Sequence, residues 1–358
     1  MNRTLLRYTS LVAVSIGVSV WLTACGSTGT QSLRSQADQC IKQANYKGAV
    51  ELLNKALDQD KERAKGLDDA SMASDLEALG SCYQKQGKYI LAVSNYEQAV
   101  NIRKKLASPS LGDLAKSLNG LGEASADAGK IADAEKLLIR GLELREDNLP
   151  AGDKNIGESM NSLGRLYYDT NHYKQAETLL TKALAIEEKA LGNEAPEVAG
   201  IRSNLGCLYY SQGKYTQAEP LFKWTLQVNE RTYGPNHPEV ANSLNNLAEL
   251  MRTEKRFTEA EPLYKRALDI YEKNDGGDSV YVADTLNNTA LLYMGEGRAA
   301  DGDPLIQRAI SIYEKASGKN SPEVANALMN YAQILQAENK PQDAARVRMQ
   351  AGAIAQAQ

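Results

Sequence analysis

Four cysteines and two histidines are all that a 358-residue chain offers for metal or thiol chemistry. Cys25, Cys40, Cys82 and Cys207 include no pair with the close spacing of a zinc knuckle or a redox dithiol. Cys40 and Cys82 occupy one register position of a repeat, where later units carry Ala124, Leu166, Leu208, Leu250, Leu292 and Ile334. They read as small buried hydrophobes. A Cys40–Cys82 bridge stays open as an alternative, although packed helices lie about 8–10 Å apart and a disulfide needs a closer approach. Cys207 falls two residues after Leu205 and is expected to be an exposed thiol, but neither His172 nor His237 is spaced to serve as its base. The pairs Asp68-Asp69 and Glu187-Glu188 read as solvated surface, and no glycine loop of phosphate-cradling type is present. The expectation is a chain that is not an enzyme and has no cofactor, no metal and no small-molecule substrate.

Amides are the polar groups that recur. Asn119, Asn161, Asn245 and Asn287 share one register position, with Glu77, Ser203 and Met329 at the same position in the remaining units. An asparagine both donates and accepts, so a row of them can pair with the backbone of an extended peptide whatever its side chains. Arg165, Tyr168, Tyr210, Glu249 and Arg252 lie one or two turns further along that face, as charge-assisted and aromatic anchors. A second column, Asn204, Asn246, Asn288 and Asn330, is shifted by one residue and reads alternatively as a bridge between helices. The sequence leaves open which column meets a ligand; the first is taken as the binding column.

A strict 42-residue period positions these residues. Leu79-Gly80, Leu121-Gly122, Leu163-Gly164, Leu205-Gly206, Leu247-Ala248, Thr289-Ala290 and Tyr331-Ala332 step without slippage, and Ala92, Ala134, Ala176, Ala218, Ala260, Gly302 and Ala344 follow thirteen residues behind. A weaker unit precedes them, around Ala37 and Ala49. Leu244, Leu247 and Met251 recur at helical spacing, and Pro196, Pro238 and Pro322 suit the first position of a helix. Eight residues past each anchor stands Gly87, Gly129, Asn171, Gly213, Gly297 or Asn339, types that tolerate the left-handed conformation ending a helix, with Lys255 as the exception. Thr216-Gln217-Ala218-Glu219 and Thr258-Glu259-Ala260-Glu261 predict capping boxes that open second helices. No stretch alternates as a strand would, so the fold is expected to be all-α.

Composition agrees with a folded chain, at 42% hydrophobic and 24% charged residues. Net charge is −4, which speaks against nucleic acid as a partner. Arg3 and Arg7 precede an apolar run from Leu11 to Leu22 that is too short to cross about 30 Å of hydrocarbon and reads as a secretory signal over residues 1–24. Residues 26–34, GSTGTQSLR, read with Cys25 as a flexible tether, leaving 35–358 for the repeats.

The repeat unit resembles the tetratricopeptide repeat, and phrases such as HPEVANSLNNLAEL and EAEPLYKRALDIYEK look like its kinesin-light-chain subtype. That resemblance implies an α-solenoid, a right-handed superhelix of about eight helix-turn-helix repeats, with first helices lining a groove for an extended peptide or helix of another protein. Leu22-Thr23-Ala24-Cys25 resembles the bacterial lipobox, which implies cleavage before Cys25 and covalent lipid on it. Gly26, where the inner-membrane retention signal typically has aspartate, implies an envelope lipoprotein of the outer membrane that faces the periplasm. The implied partner is a component of envelope machinery such as a secretion, pilus or polysaccharide-export assembly; the alternative is a surface adhesin or cell-wall-binding lipoprotein.

Overall fold

Seven residues with a positive φ shape the chain. Gly87, Gly129, Asn171, Gly213, Lys255, Gly297 and Asn339 all lie in the left-handed region, at φ values from 60° to 80°. In each case the next residue donates its N–H back five residues, from Lys88 to Tyr83 O at 2.8 Å through to Lys340 to Leu335 O at 2.9 Å. This Schellman closure satisfies carbonyls that a helix end would otherwise leave bare. Lys255, with φ 61°, adopts it without the residue type that favours it.

The computed structural model describes residues 28–63, 69–106 and 110–356. Among them are sixteen helices and no strand. The chain divides into two units, at Leu208 and Tyr209. The first holds α1 (Thr28–Lys42), α2 (Tyr46–Arg63), α3 (Ala70–Lys85), α4 (Tyr89–Lys105), α5 (Leu111–Asp127), α6 (Ile131–Asn148), α7 (Lys154–Asp169), α8 (Tyr173–Leu191) and most of α9 (Pro196–Ser211). The second holds α10 (Tyr215–Tyr233), α11 (Pro238–Thr253), α12 (Phe257–Asp275), α13 (Val280–Gly295), α14 (Ala299–Ser317), α15 (Pro322–Ala337) and α16 (Pro341–Gln356). Odd-numbered helices are the first members of the eight pairs, so the all-α solenoid expected from the period is the fold observed. No described helix is long and apolar enough to cross a membrane.

Several first helices open on a side-chain cap. Asp69 Oδ1 accepts from Met72 N at 2.8 Å, Ser279 Oγ from Val282 N at 3.3 Å, and His237 Nδ1 from Glu239 N at 3.2 Å. The capping boxes expected at Thr216 and Thr258 do not form. Here α10 and α12 begin a residue earlier, behind Lys214 and Arg256, neither of which makes a side-chain cap bond. The left-handed turn has already directed the backbone into the helix, and Glu219 is drawn instead to Lys223 at 2.8 Å and Arg256 at 3.1 Å. A second difference lies at the amino end, where α1 starts inside the segment read as a tether. Arg34 holds it there, its guanidinium on Asp75 at 2.7 and 2.8 Å and on Asp60 as well.

One large side chain on each of α4, α6, α8, α10, α12 and α14 packs into the stack. Tyr96, Leu138, Leu180, Phe222, Tyr264 and Ile306 share a register position and all are buried. A methyl group on Gly80 would come within 2.6 Å of the Tyr96 ring, on Gly120 within 2.3 Å of its other edge, and on Gly164 within 2.9 Å of Leu180. Alanines thirteen residues past the anchors, Ala92, Ala134, Ala176, Ala218, Ala260 and Ala344, are 0% exposed, which marks the close crossing within each pair.

A polar position near the end of the second helix ties three of the pairs to the next. Arg103 Nε donates to Glu77 Oε1 at 2.8 Å and Ser117 Oγ at 3.0 Å. Arg145 reaches Ser159 Oγ at 2.9 Å, and Asn229 reaches Ser243 Oγ at 2.9 Å. Glu187 is the acid in this series, and the register places Ile201 where those neighbours have serine. The expectation of solvated surface fails for Glu187, which is 4% exposed. Burial, and then Glu158 and Glu197, push its carboxyl up to about 8 against the opposing pull of Lys154 and Arg145.

Two outcomes follow for stability. Lys255→Gly should raise it by about 0.5–1 kcal/mol, because glycine adopts the left-handed turn without a Cβ clash; chemical denaturation reads this directly. Folded Glu187 keeps a proton that the unfolded chain releases above its ordinary value, so its contribution falls as pH rises from about 4.5 towards 8, by up to about 1.4 kcal/mol per pH unit. Glu187→Gln should flatten that slope when unfolding is compared near pH 5 and near pH 8.

Candidate functional site

The binding column expected from sequence is largely taken up within the stack. Asn119 and Asn245 are buried, and their amides donate to the hydroxyls of the next first helix, Ser159 Oγ at 2.6 Å and Thr285 Oγ1 at 2.8 Å. Asn287, 1% exposed, accepts from Asn330 at 2.8 Å, and half-buried Asn161 accepts from Asn204 at 2.8 Å. Both columns therefore bridge neighbouring first helices, a consequence of how closely the small anchor residues let those helices approach. Asn161 keeps part of its surface open, whereas Asn119, Asn245 and Asn287 do not form the open clamp.

In the second unit, polar side chains converge on a buried carboxylate. Glu249, 0% exposed, receives Arg252 through both oxygens at 2.6 and 2.7 Å, the Tyr210 hydroxyl at 2.9 Å and the Tyr264 hydroxyl at 2.8 Å. Tyr210 also meets Thr253 Oγ1 at 2.7 Å. Burial and then Glu249 raise the Tyr210 phenol well above its usual range. Burial alone would lower Arg252, but bonds to Glu249 outweigh it and keep the guanidinium charged. Tyr210 and Arg252 stay half-buried, so this network has an outer edge.

The first unit carries a related cluster of different composition. Arg165, 7% exposed, donates to Asp127 Oδ1 at 2.7 Å, and Gln84 Nε2 donates to Asp127 Oδ2 at 2.8 Å. Ser162 donates to Glu123 Oε1. Asp127, Asp169 and Glu123 together hold Arg165 protonated against the cost of burial. Burial raises the Glu123 carboxyl, opposed by Arg165 and by the Ser162 bond. Tyr168 is half-buried, its ring 5.9 Å from that of Tyr173.

Sequence reading passed over Glu123, Asp127, Gln84 and Tyr96. The signal available for Glu123 was the position two past each anchor, Ser81, Glu123, Arg165, Cys207, Glu249, Leu291 and Gln333, where charge appears in a series whose members from Arg165 to Leu291 are buried. Cys207 belongs to that series. It is 0% exposed, not an exposed thiol. Cys40 and Cys82 are free thiols, and burial pushes Cys82 up to about 12. Cys25, the residue expected to carry lipid, lies outside the described residues.

Comparison with known proteins places this architecture. No curated protein is similar enough to match the chain. Among solved structures, the Rap conjugation gene regulator of plasmid pLS20, in complex with the Phr* peptide, is similar at 13% identity and TM-score 0.65, over 91% of this chain and 95% of that one. The apo quorum sensor NprR from B. thuringiensis is similar at 15% identity and TM-score 0.64, over 91% and 87%. Nearly identical kinesin light chain TPR-like repeats from Podosopora anserina show 25% identity and TM-score 0.43, over 57% of this chain and 98% of theirs. The family pattern described as tetratricopeptide repeat matches residues 30–105, 113–189, 176–231, 197–273 and 281–357, and the chain belongs to the tetratricopeptide repeat family.

Proposed function

We propose that this protein is a protein-interaction adaptor, held at the bacterial cell envelope by lipid on Cys25, whose first-helix faces bind an extended segment or helix of an envelope assembly. The observation that carries the binding role is a pair of polar networks, one in each unit. The second ends in half-buried Tyr210 and Arg252, and beside the first, on α7, stand half-buried Asn161, bonded to Asn204, and Tyr168. Such groups already have their rotamers fixed by bonds within the protein, so less entropy is lost when a guest chain meets them. Membership of a family built from stacked helix pairs supports the same role. So does the likeness in fold to a Rap regulator held with a peptide. The role is binding, not catalysis.

The anchoring half of the proposal rests on the residues themselves. Arg3 and Arg7, the apolar run from Leu11, and the small residues before Cys25 stand in the order of a lipoprotein signal. Several acyl chains on one residue give lasting attachment, at about 0.8 kcal/mol per buried methylene. We place the protein on the outer membrane, facing the periplasm.

Two linked experiments test this. A photo-crosslinking residue at Asn161 or Tyr168 should trap one dominant envelope protein in cells, and the same residue at exposed Lys182 should not; an unselective spread of abundant proteins at both positions contradicts the binding role. Cys25→Ser should move the protein from the membrane to the soluble fraction with its helicity unchanged, and retention on the membrane contradicts the lipid anchor.

A further inference from the structure

The two units contain equivalent carboxylates in unlike surroundings. Glu123 and Glu249 are three repeats apart at one register position. Around Glu249 the protein supplies its own donors, Arg252, Tyr210 and Tyr264. The residues in register with those three, around Glu123, are Ala126, Gln84 and Leu138. The guanidinium is replaced by a methyl group, one phenol by an amide and the other by an aliphatic chain.

Polar atoms near Glu123 are correspondingly left over. Ser162 serves Glu123 Oε1, and Glu123 Oε2 is buried and meets no protein donor. Gln84 is 5% exposed; its Nε2 is spent on Asp127, and its Oε1 meets no protein donor. Tyr96 is 3% exposed, and its hydroxyl has no protein partner either. The Tyr96 ring lies between Gly80 of α3 and Gly120 of α5. Gln84 stands one turn beyond Gly80, and Glu123 one turn beyond Gly120, so the hydroxyl faces the level at which both side chains stand. Among the charges acting on that hydroxyl, Glu123 is the largest. The free groups are two acceptors and a phenol that can accept as well as donate; the cation acting on Glu123 is Arg165, whose hydrogen bond goes to Asp127 and leaves Glu123 Oε2 without a donor. An ammonium carries three N–H donors and a guanidinium five, and neither accepts.

We infer that Glu123, Gln84 and Tyr96 receive the cationic head of a lysine or arginine side chain on the bound partner segment, in the place that Arg252 fills in the second unit. Ala126 stands in register with Arg252 and brings no donor of its own. The inference rests on the binding role proposed above and gives it a specificity: the first unit selects a segment with a basic residue, and the second, whose carboxylate is already saturated, does not.

The test is selection from a library of short random peptides on the immobilised full chain. The wild type should enrich peptides carrying lysine or arginine. A lysine peptide so selected should bind E123Q about tenfold more weakly, since the substitution keeps shape and removes charge. A126R, which installs the guanidinium that the second unit already has, should abolish the basic preference while retaining the wild-type melting curve. Peptides selected without basic enrichment, or an enrichment that survives both substitutions, overturn this inference alone. Failure to select any peptide overturns the binding role and this inference with it.

Discussion

The stack depends on bulky side chains of the inner second helices fitting against first-helix residues too small to oppose them. Tyr96 against Gly80 and Gly120, Leu138 against Gly122 and Leu180 against Gly164 are the same contact repeated. No helix pair can bury such a residue alone, so each unit is stable only as a stack. The contact also explains the strict period: a slipped residue would turn the bulky side chain to solvent and bring a Cβ into the crossing. Glycine gives way to alanine at Ala248, Ala290 and Ala332, and Gly302 stands where earlier units have alanine, with the carbonyl of Ala290 only 2.8 Å from where a methyl would sit.

Close approach has a consequence for the face. First helices that lie so near one another cover the residues beside their anchors, and polar side chains there must find partners within the stack. The asparagine columns solve this by pairing with serine, threonine or another asparagine of the next repeat. Once that level is satisfied, the side chains two past the anchor and on the turn beyond it differ in combination from repeat to repeat. Glu249 with Arg252, and Arg165 with Asp127, are two arrangements of opposite charge on one scaffold.

The period, the left-handed turns and the close crossings were legible in the sequence because each demands a residue type: glycine or asparagine at a positive φ, alanine at a helix crossing. Lys255 shows the limit, since its conformation follows from register and not from its own chemistry. The capping boxes failed because the turn before α10 and α12 leaves no free helix start to cap. The binding column was misjudged for a related reason. Helical periodicity gives the direction of a side chain around its own axis, but whether Asn245 is open or covered depends on the distance to the next helix, set by residues elsewhere. Glu123 could be found only by setting repeats beside one another and asking which donors are missing.

The contact between first and second helices can be measured by a double-mutant cycle at Gly164 and Leu180. Gly164→Ala alone should destabilise by about 1–3 kcal/mol through overpacking, and Leu180→Ala alone by about 2–5 kcal/mol through loss of buried volume. Together they should cost less than their sum by about 1 kcal/mol or more, since the shortened side chain makes room for the new methyl. Strict additivity would mean that the two residues do not share the contact on which the stack is built.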